Sequence, residues 1–318
     1  HSNEFTGGYV RLSINDIQNG KQPFKLNING SELISFYNGE IYNYFKLKKD
    51  LQRKGYKFKT KCDGEIIPSL YHAYGEKFFE KLEGMFAISI WDKKNKKLLL
   101  GRDHLGEKPL YYLHNKDEII FSSEIKSILK YKPANKTIDQ QSIWDIPTFL
   151  WVPEPSTIFK EIKSLPPSSY LKFSKRGLKI NSYSSKNEIT YSKNSCIINK
   201  TRQVVSDSIL SRNLSDAPIG CFLSGGIDSS LVTKISHSKS KNLKTYTVAF
   251  ENLRDPYSLG TVDESHAAKK FANKLNISNT VIKANANNLK KEFNFLMKNM
   301  DQPMAISSAI GISMVARK

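Results

Sequence analysis

Cysteine is scarce. The chain has three in 318 residues, Cys62, Cys196 and Cys221, with no C-x-x-C spacing. An odd number without paired spacing argues against a disulfide framework and against a zinc ribbon, and a reducing cytoplasm is the expectation. No apolar run approaches the roughly 18–20 residues that a membrane span needs. Nor does the chain open on a basic segment, an apolar segment and a cleavage site, so nothing points to export. Acidic residues are sparse too: 30 Asp plus Glu against 49 Lys plus Arg, a formal net charge of +19. Such an excess can mark a nucleic-acid partner. Here most of it is Lys, spread through a chain also rich in Asn and Ile, and it reads as solvated lysine without a polyanion target. Hydrophobic residues at 39% and aromatics at 11% suffice for ordinary cores and exclude a disordered chain. At roughly 150 residues per domain, the length predicts two.

The two halves differ in pattern. Residues 8–36 read as strands, Tyr9–Ile14 and Glu32–Phe36 among them, with a turn at Asn29-Gly30. Helical spacing covers 44–54 and 66–74, with Pro68 tolerable only near a helix start. Short strands follow at Met85–Trp91, Lys97–Leu100, Leu110–Leu113 and Glu118–Phe121. Strands with a few helices suggest α+β layers over residues 1–130. Residues 131–195, with six prolines from Pro133 to Pro167, read as a connector carrying a small hairpin at 170–181. From 196 to 318 the pattern alternates. A helix covers 197–211, and Ile219–Leu223 is a continuous apolar run of the kind buried on both faces. A Gly-rich turn occupies Ser224–Ser230, and a helix begins at Leu231. Strand 245–250, helix 265–275 and strand 280–283 complete a βαβαβ pattern, hence a parallel doubly wound sheet.

The turn Ser224-Gly-Gly-Ile-Asp-Ser-Ser230 sits between the apolar strand and the helix. Glycines admit a polyanion close to the backbone, and a helix N-terminus presents free N–H groups with a favourable dipole. Ser224, Ser229 and Ser230 add hydroxyls. Asp228 is out of place in an anion site unless it holds a magnesium that travels with the phosphates. Neither the P-loop nor the dinucleotide pattern is present. This S-G-G-x-D-S resembles the pyrophosphate loop of the ATP pyrophosphatases, which cleave ATP between the α and β phosphates.

The first half narrows the resemblance. Arg11-Leu-Ser-Ile-Asn-Asp16 with Gln22-Pro23, Asn38-Gly-Glu-Ile-Tyr-Asn43, Cys62-Asp-Gly-Glu65, Gly101–Tyr112 and Ser122–Lys126 resemble blocks of the class II glutamine amidotransferases. Ser215–Gly220, Asp263–Ser265, Asp301-Gln-Pro303 and Ser308–Ile310 continue in the order of the glutamine-hydrolysing asparagine synthetases, and the likeness covers essentially the whole chain. It implies an α+β N-terminal-nucleophile amidotransferase sandwich over 1–130, the connector, and an α/β parallel-sheet ATP-pyrophosphatase domain, similar to adenine nucleotide alpha-hydrolases, over 196–318.

The resemblance also implies roles. Arg11 clamps the glutamine α-carboxylate, a bidentate task suited to guanidinium, with Leu12, Ser13, Ile14 and Asn15 beside it. Asp63 takes the α-ammonium, and Glu40 belongs to the same site. The Asn38 amide and the Gly39 N–H form the catalytic oxyanion hole. Leu223 and Val248 contact the nucleoside, Ser224, Gly225, Gly226, Asp228 and Ser229 hold the phosphates, and Asp228 serves Mg2+. The expected reaction consumes aspartate, glutamine and ATP through a β-aspartyl-adenylate. Implied partners are those small molecules, with room for a homodimer and with neither membrane nor nucleic acid.

There are departures. The family nucleophile is an N-terminal cysteine whose own amine is the base, and this chain opens on His1. The family also continues past position 318 with an S-G-D-G-x-D-E loop. The chain is therefore read as a fragment cut at both ends and expected to lack glutaminase activity. Gly64 replaces the usual Thr, and Gln302 and Ile306 stand where acids are frequent. Three alternatives remain: an amidotransferase acting on another carboxylate in polysaccharide or peptide synthesis, a tRNA-modifying ATP pyrophosphatase, and a non-catalytic remnant.

Overall fold

The computed structural model describes residues 4–28, 30–133, 136–184, 197–250, 264–305 and 308–318. Asn29, Cys196, Asp263 and Ile306, named above, lie outside them. The chain divides into two compact units, His1–Tyr191 with Asp301–Met304, and Ser192–Met300 with Ala305–Lys318.

In the first unit β1 (Phe24–Ile28) and β2 (Ser31–Ile41) pair as an antiparallel hairpin. Gly30, at φ +72°, provides the left-handed position of its short turn. Helix α1 (Tyr44–Arg53) buries Tyr44, Leu47 and Leu51, the 3.6-residue stripe read from the sequence. A 3₁₀ turn at Asp63–Ile66 leads into α2 (Ile67–Tyr74), so Pro68 falls in the first helical turn, where no N–H is missed. Strands β3 (Gly84–Asp92) and β4 (Lys97–Arg102) follow, then β5 (Tyr111–His114), β6 (Ile119–Ser122), α3 (Ile125–Tyr131), α4 (Gln140–Phe149), β7 (Ile162–Ser164), β8 (Ser169–Ser174) and β9 (Gly177–Ser182).

Two antiparallel sheets result, ordered β1-β2-β3-β4-β8-β9 and β6-β5-β7. The central strand β3 is buried on both faces. Phe86, Ile88 and Ile90 join α1, α2, Phe78 and Phe79 in one core. Ala87 and Trp91 join Leu98, Leu100, Leu171, Leu110 and Tyr112 in a second core, between the sheets. A third holds α3 by Ile125 and Ile128 against Leu113 and Ile162. The unit is thus layered helix, sheet, sheet, helix. The hairpin expected inside the connector is β8–β9. Through β8 pairing with β4 it extends the larger sheet, so that part of 131–195 is built into the first unit.

Two expectations about strands are corrected. Residues 9–14 form no strand. Val10 and Leu12 stand 103% and 88% exposed, and the chain curls back so that Arg11 reaches carbonyls four to six residues on. Alternation is only half of a strand signal, and no neighbouring strand takes up the ladder here. The apolar run Ile219–Leu223 is not buried on both faces either. In β10 (Gly220–Phe222) Cys221 is buried while Phe222, pointing to the opposite face of the sheet, is 56% exposed.

The second unit runs α5 (Ile197–Ser211), β10, α6 (Ile227–Lys239), β11 (Lys244–Phe250), α7 (Ser265–Lys274), β12 (Ser278–Ala284), α8 (Ala286–Asn299) and α9 (Ser308–Ala316). Strands β10, β11 and β12 pair in parallel, in that order. Leu223 packs on Ala268, Ala272 and Phe271 of α7. No helix among the described residues is long and apolar enough to cross a membrane.

Candidate functional site

A cavity of about 700 Å³ opens in the first unit. It is lined by Arg11, Leu12, Ile14 and Asn15 from the N-terminal segment, Asn38, Gly39 and Glu40 from β2, and Asp63 from the 3₁₀ turn. Eight of the nine residues expected at the glutamine site therefore share one wall, and Ser13 is not among the lining residues. Gly39 sits at φ +150°, and a Cβ there would lie 2.0 Å from the Met85 carbonyl oxygen on β3. The glycine is what lets β2 run this close to β3 while carrying Asn38 and Glu40 into the cavity.

The polar groups are already engaged. Arg11 donates to the carbonyls of Asn15 at 2.5 Å, Asp16 at 3.2 Å and Ile17 at 3.3 Å. Asn38 Nδ2 donates to Ser123 Oγ at 3.3 Å. Asp63, 3% exposed, accepts from Tyr37 O–H at 2.6 Å and from the N–H groups of Ile41 at 2.8 Å and Gly64 at 2.9 Å. Burial nevertheless pushes its carboxyl up, the donors only partly offsetting desolvation. Glu40 accepts from Asn15 Nδ2. Its carboxyl is raised from 4.5 to about 8, first by burial and then by Asp63, while Lys108 and Arg11 pull it down. With Asp63 buried and Glu40 half-buried beside it, each carboxylate charge is disfavoured, and a cation entering the pocket would favour ionisation. The Cys62 thiol, pushed up to about 12 by burial and then by Asp63, stays protonated at neutral pH and is no thiolate nucleophile.

The raised Glu40 has a measurable consequence. Folded, the group binds its proton more tightly than unfolded. Its stabilising contribution is full below about pH 4.5 and is lost as pH rises toward 8. The melting temperature of Glu40→Gln is therefore expected to fall less than that of the wild type between about pH 5 and 8.5. Asp16, Glu32 and Glu76, held low, act only below that window. Parallel profiles for the two proteins would contradict the assignment.

Several supporting residues carried no assigned role in the sequence. Gln22 pairs its amide with both backbone groups of Tyr37, donating to the carbonyl and accepting from the N–H, each at 2.7 Å. A side chain thereby does the work of a strand residue at the cavity wall. Gly64 is explained by the rings of Phe24 and Tyr37, 2.5 and 2.8 Å from where a Cβ would stand. Asp103, fully buried, accepts from the N–H groups of Phe86, Leu105, Glu107 and Lys108 at 2.9–3.1 Å. Arg102 donates to the carbonyls of Gly106, Lys108 and Leu165 and pairs with Glu154 at 2.7 Å. Together they hold the loop that brings Lys108 to the cavity. Asp301 accepts from the N–H groups of Ile125 at 2.5 Å and Lys126 at 3.4 Å, capping α3, whose own N-cap Glu124 makes no side-chain cap bond. Gln302 Oε1 accepts from Ile158 N–H at 3.0 Å. The signal for Lys108 and Ser123 was the block in which each stands. Asp301 is 176 positions from Ile125, beyond any local pattern.

In the second unit the Ser224–Gly226 turn joins β10 to α6, which starts at Ile227, earlier than the sequence suggested. Asp228 and Ser229 thus lie in the first helical turn. Gly225 is at φ +88°, and a Cβ there would meet Ala268 N at 2.8 Å. Ser224 and Ser229 hydroxyls lie 3.0 Å apart, and Ser224 Oγ accepts from Gly226 N–H at 3.3 Å. Ser224 and Asp228 are exposed, and Gly225, Gly226 and Ser229 are half-buried. Leu223 is buried beneath it, and Val248 lies half-buried on β11. Among the described residues no group of three or more His, Cys, Asp or Glu is placed to hold a metal ion.

The first unit is a glutamine amidotransferase domain, and a synthetase domain follows it. Residues 1–184 match the family model of the glutamine amidotransferase domain and residues 200–318 that of asparagine synthase. With both in this order, the chain belongs to the glutamine-hydrolysing asparagine synthetase family. Asparagine synthetase (glutamine-hydrolyzing) 1 of Bacillus subtilis is 34% identical over 320 residues, 100% of this chain and 49% of that protein. Asparagine synthetase (glutamine-hydrolyzing) 2 of the same organism is 38% identical over 258 residues, 76% of this chain and 33% of that protein. The chain spans about half the length of the first of these relatives. Among solved structures, that of the allosteric regulatory enzyme of purine biosynthesis aligns with a TM-score of 0.40 at 17% identity, over 82% of this chain and 54% of the other.

Proposed function

We propose that the protein is an ATP-dependent asparagine synthetase that draws its nitrogen from glutamine. The observation that carries the reading is the single cavity shared by Arg11, Asn38, Gly39, Glu40 and Asp63. Glutamine fits it group by group. Its α-carboxylate replaces the carbonyls now on Arg11 with a charge-assisted pair. Its α-ammonium enters between Asp63 and Glu40, and Glu40, largely protonated in the empty pocket at neutral pH, releases its proton on binding. Asn38 and the Gly39 N–H face the oxygen of the tetrahedral intermediate, roughly 3–4 kcal/mol for each donor. The fold is, on this reading, an N-terminal-nucleophile amidotransferase followed by an ATP-pyrophosphatase sheet.

The second unit then receives ATP. Leu223 and Val248 contact the nucleoside, and Ser224, Gly225, Gly226 and Ser229 bind the pyrophosphate. Asp228 would hold Mg2+, which would offset the charge of the phosphates. The open turn, glycine at φ +88° and a carboxylate one residue into α6 suit that pair. The β-carboxylate of aspartate attacks the α-phosphorus and pyrophosphate leaves. Ammonia then attacks the acyl carbon and AMP leaves. Such an enzyme works on small molecules in the cytoplasm.

Titration calorimetry with L-glutamine and with Mg-ATP tests the two sites separately. Arg11→Ala is expected to weaken glutamine binding about 30-fold or more and to leave ATP unaffected. Asp228→Ala is expected to do the reverse and to abolish ATP–pyrophosphate exchange. Glutamine affinity unchanged in Arg11→Ala overturns the assignment of the cavity.

A further inference from the structure

The ladder of β10 ends at Phe222, yet the next residue remains fixed at both its polar groups. Leu223 N–H donates to the Tyr246 carbonyl at 2.9 Å, and the Leu223 carbonyl accepts from the Thr247 hydroxyl at 2.6 Å. Ser224, the first residue of the Gly-Gly turn, follows immediately. Thr247 is 3% exposed and Thr245 is fully buried, two residues apart on the same face of β11. Asn279 on β12 stands in register with Thr245.

The hydroxyl protons fix how these groups are wired. Thr247 Oγ1 lies 2.6 Å from the Leu223 oxygen and 3.1 Å from Asn279 Oδ1. Thr245 Oγ1 lies 3.1 Å from the Ser278 oxygen and 3.2 Å from Asn279 Oδ1. Asn279 Nδ2 is buried and has no partner. Each hydroxyl has one proton, and each faces a carbonyl that can only accept. With Asn279 Oδ1 toward the threonines, oxygen faces oxygen and two N–H donors are stranded. With the amide turned over, Nδ2 donates to both hydroxyls, and each hydroxyl donates to its carbonyl. The amide orientation that satisfies the network is the second. It leaves a one-way chain of donors from Asn279 through Thr247 to the Leu223 carbonyl.

We propose that Thr247, oriented by Asn279, is a positioning residue for the Ser224–Ser229 turn: it holds the Leu223 peptide where the strand ladder has ended and so sets the direction in which the turn's N–H groups point. On the other side the turn is already tight against α7, since a Cβ on Gly225 would meet Ala267 Cβ at 2.9 Å. A displaced Leu223 would therefore move the turn away from α7. The role rests on the turn being the nucleotide-phosphate site.

The test uses the full chain and two readouts, amide hydrogen exchange over residues 224–227 and Mg-ATP affinity by calorimetry. Thr247→Val is expected to speed exchange in the turn and to weaken Mg-ATP about tenfold. Thr247→Ser, which keeps the hydroxyl, matches the wild type in both. Thr245→Val is the structural control: it removes a hydroxyl from the same amide that does not touch Leu223, and should leave turn exchange and ATP affinity unchanged. Should Thr247→Val fail to fold, Thr247→Cys, a weak donor of similar size, takes its place with the same expectation. Equal effects of the 245 and 247 variants, or none at 247, overturn the proposal. A wild type that binds no Mg-ATP refutes the nucleotide reading instead, and the exchange data still judge Thr247.

Discussion

Gly39→Ala is expected to cost about 3–5 kcal/mol and to abolish glutamine binding. The new Cβ would stand 2.0 Å from the Met85 carbonyl oxygen and 2.8 Å from Phe86 Cα. Both are backbone atoms of β3, the strand buried on both faces, so no rotamer change relieves the clash. Overpacking costs roughly 1–3 kcal/mol, and a side chain held at positive φ adds roughly 1–3. The strands must part where Asn38 pairs with Ala87 and Glu40 with Met85, and both wall residues shift. Urea titration of wild type and variant measures the loss. Gly30→Ala is the natural comparison, at φ +72° with nothing within 4 Å of the added carbon, and should cost only about 1 kcal/mol. Equal midpoints for Gly39→Ala and the wild type would show that β2 and β3 have slack the geometry denies.

Asp103→Ala should be comparably severe, about 4 kcal/mol or more. Four N–H groups converge on this carboxylate, which is inaccessible to water. Each orphaned donor costs roughly 1–3 kcal/mol, reduced where the loosened loop admits water. Asp103→Asn should recover little, because its Nδ2 would face donors. The loop that relaxes is the one carrying Lys108. Freed from that cation, Glu40 should titrate higher, and the pH at which glutamine begins to bind should rise with it. Chemical denaturation checks the first effect and pH-resolved calorimetry the second. A stability loss below about 1 kcal/mol would mean that the four amides find other acceptors.

What the sequence revealed and what it hid divide along physical lines. Local signals were reliable where packing agreed with them: Tyr44, Leu47 and Leu51 mark the buried stripe of α1, and the strands read at 32–36 and 85–91 fall within β2 and β3, whose sheet carries two cores on its opposite faces. The pattern misled at residues 9–14 and 219–223, where a strand needs a neighbour to complete it and the sequence does not name one. The cavity wall was legible because its residues come in short blocks, Arg11–Asn15, Asn38–Glu40 and Asp63. Its supports were not. Gln22 on Tyr37, Asp301 on α3 and Asn279 behind Thr247 are contacts between distant segments, and no periodicity encodes them.

The cap on α3 bears on any attempt to dissect the protein genetically. The amidotransferase unit is discontinuous in sequence: four of its residues, Asp301–Met304, are delivered from the far side of the synthetase segment. A gene trimmed after Tyr191 would encode every lining residue of the cavity and still omit the acid that satisfies the first amides of α3, directly after Ser123 and Glu124. Excision by simple truncation would thus yield a frayed pocket, whereas grafting the excised tetrapeptide back through a short linker should mend it.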